Sequence, residues 1–79
     1  MNDLKTLIEY IAVKLVGDQS KVRVDASQHG QVVIVRLTVP SEEMGKVIGR
    51  QGRIARAMRT VLTIAASRRG LRASLDIND

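Results

Sequence analysis

The chain of 79 residues has no cysteine, tryptophan or phenylalanine, and only one tyrosine, one proline and one histidine. Each shortage excludes something. Without cysteine there is no disulfide, no thiolate nucleophile and no sulfur-ligated metal site, a composition that fits a reducing compartment. With His29 as the sole histidine, placed in a predicted turn, no cluster of His, Cys and carboxylates has metal-ligand spacing. No serine or threonine stands beside a base in a recognisable nucleophile motif. Glu42 and Glu43 are adjacent, so on a helix they do not face each other, and their place at a predicted helix start is explained by the helix dipole. These absences predict a protein that is not an enzyme and that holds no metal or cofactor. Long apolar runs are missing too. The first predicted helix carries Asp3, Lys5, Glu9 and Lys14, so it is neither a signal segment nor a membrane span, and its mixed, sparse charges do not suit a membrane surface. A cytoplasmic protein without a membrane partner is expected.

Positive charge, by contrast, is concentrated. Thirteen Lys and Arg against eight Asp and Glu give a net charge of +5. Between Lys46 and Arg72 there are eight basic residues (Lys46, Arg50, Arg53, Arg56, Arg59, Arg68, Arg69, Arg72) and no acid, whereas residues 1–45 carry five basic and six acidic ones. A one-sided basic surface is the footprint of a polyanionic partner, although a solvated helix face would have the same composition.

Leu4, Leu7, Ile8, Ile11 and Leu15 recur at helical spacing, which predicts an amphipathic helix over residues 3–16, ended by Gly17. Tyr10 on that helix is expected to be a partly buried structural residue. Val22, Val24 and Ala26 alternate with Lys21, Arg23 and Asp25 as a half-buried strand, "SQHGQ" reads as a turn, and "QVVIVRLTV" over 31–39 reads as a more central strand. Ser41 then starts a short helix running to about Ile48, with Glu42 and Glu43 in its first turn. A longer helix follows to about Ser67 on Ile54, Ala57, Met58, Val61, Leu62 and Ala65, Gly70 marks its end, and "LRASLDI" alternates as a third strand. The order is α-β-β-α-α-β. Two helices between the second and third strands allow those strands to lie parallel. The expected fold is therefore α+β, a three-stranded mixed sheet with three helices packed on one face, filling residues 1–79 as one domain.

Gly49 and Gly52 interrupt what would otherwise be one long helix, at a cost of about 1 kcal/mol each relative to alanine. One glycine is enough for a turn. A second one implies that the backbone is approached closely, where a Cβ would be in the way. The turn also stands at the start of the longer helix, where free amides and the dipole favour an anion. Arg50 and Gln51 lie at its tip, Lys46 one turn before it and Arg53 just after. A Walker P-loop does not fit, because that motif follows a strand and closes in Gly-Lys-Ser/Thr, whereas "GRQG" lies between helices.

The run "VIGRQGRI" resembles the hallmark of the KH domain, with Ile48, Gly49, Gly52 and Ile54 on its Ile-Gly-x-x-Gly core, and the order of elements is similar to the type II, prokaryotic arrangement. The resemblance implies a module that clamps about four nucleotides of single-stranded RNA. In that likeness Gly49, Arg50, Gln51 and Gly52 meet the sugar–phosphate backbone, with Lys46 and Arg53 beside them. Val47, Ile48 and Ile54 help floor an apolar groove for bases, and the third strand forms its other wall. Arg56, and the basic loop of Arg68 and Arg69 with Arg72, would be secondary RNA contacts. The single tyrosine excludes stacking platforms of the kind used by RRM and OB folds, which such a clamp does not require, and points to modest affinity and weak sequence readout. The resemblance also implies an RNA chaperone or post-transcriptional regulator that forms homodimers or heteromers with a larger KH-containing RNA-binding protein. The apolar arc of the long helix, about 200° wide, leaves room for such docking. Two alternatives are a protein-interaction adapter with a basic face and a DNA-binding helix-turn-helix, whose recognition helix would have to be more polar than Arg53-Ile54-Ala55.

Overall fold

The computed structural model describes residues 3–79. Helix α1 covers Asp3–Val16 and buries Leu4, Ile8, Ala12 and Val16, one residue per turn on a single stripe. A short 3-10 turn at Gln19–Lys21, capped by the Asp18 carboxylate, leads into strand β1, Arg23–His29. Strand β2 is Val32–Thr38 and pairs antiparallel with β1 from Arg23↔Thr38 to His29↔Val32. The turn is therefore two residues, Gly30 and Gln31, shorter than the expected "SQHGQ". A positive φ at Gly30 and not at Gln31 is the pattern of a type II′ hairpin. His29 consequently belongs to the end of a strand rather than to the turn.

After Val39 and Pro40 the chain makes a 3-10 turn at Ser41–Glu43 before the five-residue helix α2, Met44–Ile48. The expected helix start is thus split. Pro40 occupies the cap position and no side chain caps the turn. The Glu43 carboxylate instead accepts from Lys46 Nζ at 3.0 Å. A tight turn at 50–52 separates α2 from helix α3, Arg53–Ser67, and strand β3, Arg72–Asn78, follows. β3 runs parallel to β2, so the sheet order is β1-β2-β3 with β2 central. The α2–α3 connection is the crossover that parallel pairing needs.

Alternation sorts the sheet into two faces. Val24, Val33, Val35, Leu37 and Leu75 point to the helices and join Ile8, Val47, Met58 and Leu62 in one core. The opposite face carries polar rows such as Asp25–Arg36–Asp76, within which Arg36 Nε lies 3.9 Å from the Asp76 carboxylate. The three helices therefore share one face of a mixed sheet, the α+β architecture of a type II KH fold. Tyr10 is not the partly buried residue expected: it is 64% exposed, with Lys14 Nζ 5.5 Å above its ring. Its side chain leaves the α1 stripe, which Leu4, Ile8 and Ala12 already fill.

Candidate nucleic-acid interface

The GRQG turn is built from backbone conformations that side chains resist. Gly49 has φ 76° and ψ 178°, a region open only to glycine. A Cβ there would also lie 2.7 Å from Ile54 Cγ1. The close approach expected at this glycine is thus made by the chain's own Ile54, which folds back over the turn. Gly52 is left-handed, with φ 73°, and a Cβ on it would meet nothing closer than Arg56 Nη1 at 3.6 Å. Between them Gln51 is also left-handed, at φ 55°, the one described residue other than glycine with positive φ. That conformation costs an ordinary residue about 1–2 kcal/mol. Arg56 offsets part of it by donating from Nη1 to the Gln51 carbonyl at 2.8 Å. Gly52 N–H closes the turn on Gly49 O at 3.2 Å.

The turn delivers the chain to the amino end of α3, which receives no side-chain cap. Arg50, Gln51 and Arg53 are exposed around it, and among the described residues neither arginine has an ion pair. The positive end of a 15-residue helix and the guanidinium groups of Arg50 and Arg53 thus converge on one point, where the Gly52 and Arg53 amides are already taken up by Gly49 O and Arg50 O. Lys46, one turn back on α2, keeps a half-exposed ammonium while paired to Glu43. Ile48 and Ile54 are partly buried and offer apolar surface beside the turn, whereas Val47 is wholly buried and supports that surface from beneath.

The remaining predicted contacts lie elsewhere. Arg56 holds the loop from behind. Arg68, Arg69 and Arg72 sit beyond the carboxyl end of α3, about 22 Å from the turn at 1.5 Å per residue. Arg69 is ion-paired with Asp3 of α1. Sequence reasoning missed Arg59, whose Nε and Nη2 both donate to the Leu75 carbonyl on the open edge of β3 at 3.3 Å. The three-residue spacing of Arg53, Arg56 and Arg59 was visible, but not which one reaches a strand. α3 buries Ala55, Met58, Leu62 and Ala66 and leaves its other face, with Arg53, Arg56 and Arg59, exposed. Among the described residues no group of His, Cys, Asp and Glu could hold a metal ion, and no helix is long and apolar enough to cross a membrane.

A glycine-built turn between two helices, closing on the amino end of the second over a three-stranded mixed sheet, is the arrangement of the type II KH module. The chain belongs to a particular branch of it: residues 5–77 match the family "KhpA/KhpB, KH domain". It is 46% identical to the RNA-binding protein KhpA of Aquifex aeolicus over 77 residues, covering 98% of both chains. It is 45% identical to the KhpA of Halalkalibacterium halodurans, over 96% of this chain and 100% of that one. Against the KhpA of Treponema pallidum the identity is 47%, over 92% and 91% of the two chains. These relatives carry the names of RNA-binding proteins and not of enzymes, in line with the expectation from the missing catalytic motifs. No solved structure matches the chain significantly.

Proposed function

We propose that this chain is a single KH module over residues 1–79 that binds single-stranded RNA and holds its sugar–phosphate backbone with the GRQG turn. The observation that carries this reading is the uncapped amino end of α3, entered through Gly49–Gly52 and flanked by the exposed side chains of Arg50, Gln51 and Arg53. Phosphate oxygens suit such a site because the helix dipole and the guanidinium groups favour negative charge there. Ile48 and Ile54 supply the apolar surface on which bases rest. The names of the KhpA relatives support RNA as the ligand. Backbone contacts carry no sequence information, so the clamp itself is tolerant of sequence. Without stacking aromatics, four nucleotides held this way correspond to a dissociation constant of about a micromolar, near −8 kcal/mol. The activity is that of a cytoplasmic RNA chaperone or post-transcriptional regulator.

A docking role alongside RNA binding is favoured by a separate observation. Val61 and Ile64 are 42% and 56% exposed on α3 and line an apolar cleft with Leu7, Ala65 and Arg68. That surface supports assembly as a homodimer, or as a heteromer with a larger KH-containing RNA-binding protein.

The test is binding to a labelled single-stranded RNA at several salt concentrations, with the wild type and with Arg50→Asp/Gln51→Asp. Both glycines are kept, and aspartate tolerates the left-handed conformation of position 51 better than most residues do. Circular dichroism should therefore show an intact fold. The wild type is expected to give a log–log salt slope of about −2 to −3, from three or four phosphates at about −0.7 each. The double variant is expected to lose nearly all binding. A folded double variant that binds as well as the wild type would overturn the clamp.

A further inference from the structure

The face of the sheet turned away from the helices divides in two along its strands. One end carries Arg23, Asp25, Arg36 and Asp76, whose charges are committed to one another: Arg23 Nε lies 3.4 Å from the Asp25 carboxylate, and Arg36 Nε 3.9 Å from that of Asp76. At the hairpin end, the row that crosses all three strands is His29–Val32–Arg72. Alternation puts these three on the same face as Asp25, Arg36 and Asp76. Among the described residues neither His29 nor Arg72 has an ion pair. The nearest acids of that face, Asp25 and Asp76, stand four residues along their strands, about 13 Å away. Both roots are fixed. His29 ends β1 beside the two-residue turn, and Arg72 N–H donates to Gln31 O of that turn at 2.8 Å.

Between His29 and Arg72, Val32 is 42% exposed, an apolar side chain on the solvated face of a sheet. The next row, Ser27–Ile34–Ser74, sets a second apolar side chain between two hydroxyls. With strands about 4.8 Å apart, His29 and Arg72 are rooted about 10 Å from each other across this strip. A guanidinium fork suits a phosphate and the imidazole adds a donor beside it. Hydroxyls suit the ribose 2′-OH, and the apolar strip suits the face of a base. The strip lies on the opposite side of the sheet from the GRQG turn and at the far end of α3 from it. A segment of strand held there is therefore separate from the one at the clamp.

We infer that the hairpin end of the open sheet face is a second contact for single-stranded RNA, so that one module holds two segments of a long strand at once. The inference rests on the RNA-binding reading above. With so few charges, the second contact has a dissociation constant of about 0.1 mM or more, the weak end of sequence-independent binding. A segment tethered to RNA already at the clamp is present at an effective concentration of about a millimolar, which is enough to fill such a site. An acidic peptide would meet the same charges, but it arrives untethered and has no base for the apolar strip.

The experiment is an NMR titration of the full chain with hexauridylate. The amides of Gly49 and Gly52 report on the clamp, and the imidazole of His29, the sole histidine, reports on the second contact. The wild type is expected to show two phases, with the His29 signals moving at RNA concentrations about a hundredfold above those that saturate the glycines. In Arg50→Asp/Gln51→Asp the His29 signals should still move and the glycine amides should not. In Arg72→Gln the reverse is expected. A 20-nucleotide uridylate tests joint holding, since it spans about 68 Å even at a stacked 3.4 Å per nucleotide, against 35 Å for the longest dimension of the chain. The ratio of its affinity to that of the hexamer should fall about three- to tenfold in Arg72→Gln, and the larger number of registers on the longer strand cancels in that comparison. An unchanged ratio would overturn joint holding. His29 signals that stay still in the wild type, or move as far in folded Arg72→Gln, would overturn the second contact and leave the clamp standing. So would movement in one phase with the glycines that vanishes in the turn variant. Equal movement with hexaglutamate would make the strip a general anion patch and overturn its assignment to RNA. Glycine amides that stay still while His29 moves would overturn the clamp instead. Should Arg72→Gln fail to fold, Val32→Asp, which sets a negative charge between His29 and Arg72, should give the same losses.

Discussion

At its amino end α3 is entered through Gly-Arg-Gln-Gly-Arg, and at its carboxyl end it leaves through Ser-Arg-Arg-Gly-Leu-Arg. The two ends share residue types and differ in what those residues are committed to. At the carboxyl end Leu71 N–H donates to Ala66 O at 2.9 Å and Gly70 N–H to Ser67 O at 3.1 Å, the paired bonds of a Schellman closure. Arg69 is paired with Asp3, and Arg68 sits where the dipole is negative, so cation and helix end neutralise each other. At the amino end no side chain caps the helix, and the dipole adds to the charge of Arg50 and Arg53. A basic turn with a glycine therefore adds to the positive end of a helix in one case and closes its negative end in the other.

The sharpest way to test that contrast is stability. Gly49→Ala meets both a glycine-only conformation and Ile54, and the two effects at about 1–3 kcal/mol each predict a loss of about 3 kcal/mol or more in chemical denaturation. Gly70→Ala has only the left-handed φ of 70° to contend with and open space around the new Cβ, so about 1 kcal/mol is expected. Equal losses would mean that the Ile54 contact yields. Next comes RNA affinity. Arg68→Asp/Arg69→Asp changes more positive charge than Arg50→Asp/Gln51→Asp, yet it should weaken RNA binding by less than about tenfold while the turn variant abolishes it. The reverse order, measured in the same titration, would move the clamp to the other end of α3. A smaller effect is expected at Arg56, which acts through Gln51: Arg56→Gln should cost about 1 kcal/mol of stability. Its RNA affinity should fall about three- to tenfold without a change in salt slope, since no phosphate contact is lost.

The smallest prediction concerns Asp18, far from both ends. Bonds from the Ser20 hydroxyl at 2.7 Å and amide at 2.9 Å hold its carboxyl below the ordinary 3.8. A depressed folded value means that the stabilisation is complete above the ordinary carboxylate range and is lost as pH falls through the folded value. Melting curves of wild type and Asp18→Ala should therefore differ slightly near neutral pH and converge as the pH falls through the folded value.

Much of the fold was legible because it rests on local periodicity. The α1 stripe, the alternation of β2 and the capping glycines report spacing along the chain, and helix α1 was expected over 3–16 and found at Asp3–Val16. The end of β1 was misplaced because Ser27, Gln28 and His29 are polar, and on a strand with one solvated face polarity does not distinguish strand from turn. Ser41 was misread as a helix start because its type favours a cap, whereas Pro40 takes that place. At the site, the glycine pair and its neighbouring charges could be read directly. What holds them could not. Arg59 with Leu75 and Arg69 with Asp3 join residues 16 and 66 positions apart, and only the folded topology brings them together.

The parallel pairing of β2 with β3 carries a kinetic consequence. Every rung of that ladder joins residues 40 positions apart, from Val32 with Arg72 to Thr38 with Asn78, while the rungs of the β1–β2 hairpin close up from its two-residue turn. The hairpin and α1 can form early from neighbours. The β2–β3 ladder returns nothing until the whole α2–α3 segment has been ordered, so its loop-closure entropy falls on the folding barrier. Folding should accordingly be slower than for a helical bundle of this length. Substitutions at the β2–β3 seam should alter unfolding rates more than folding rates, because that seam closes late.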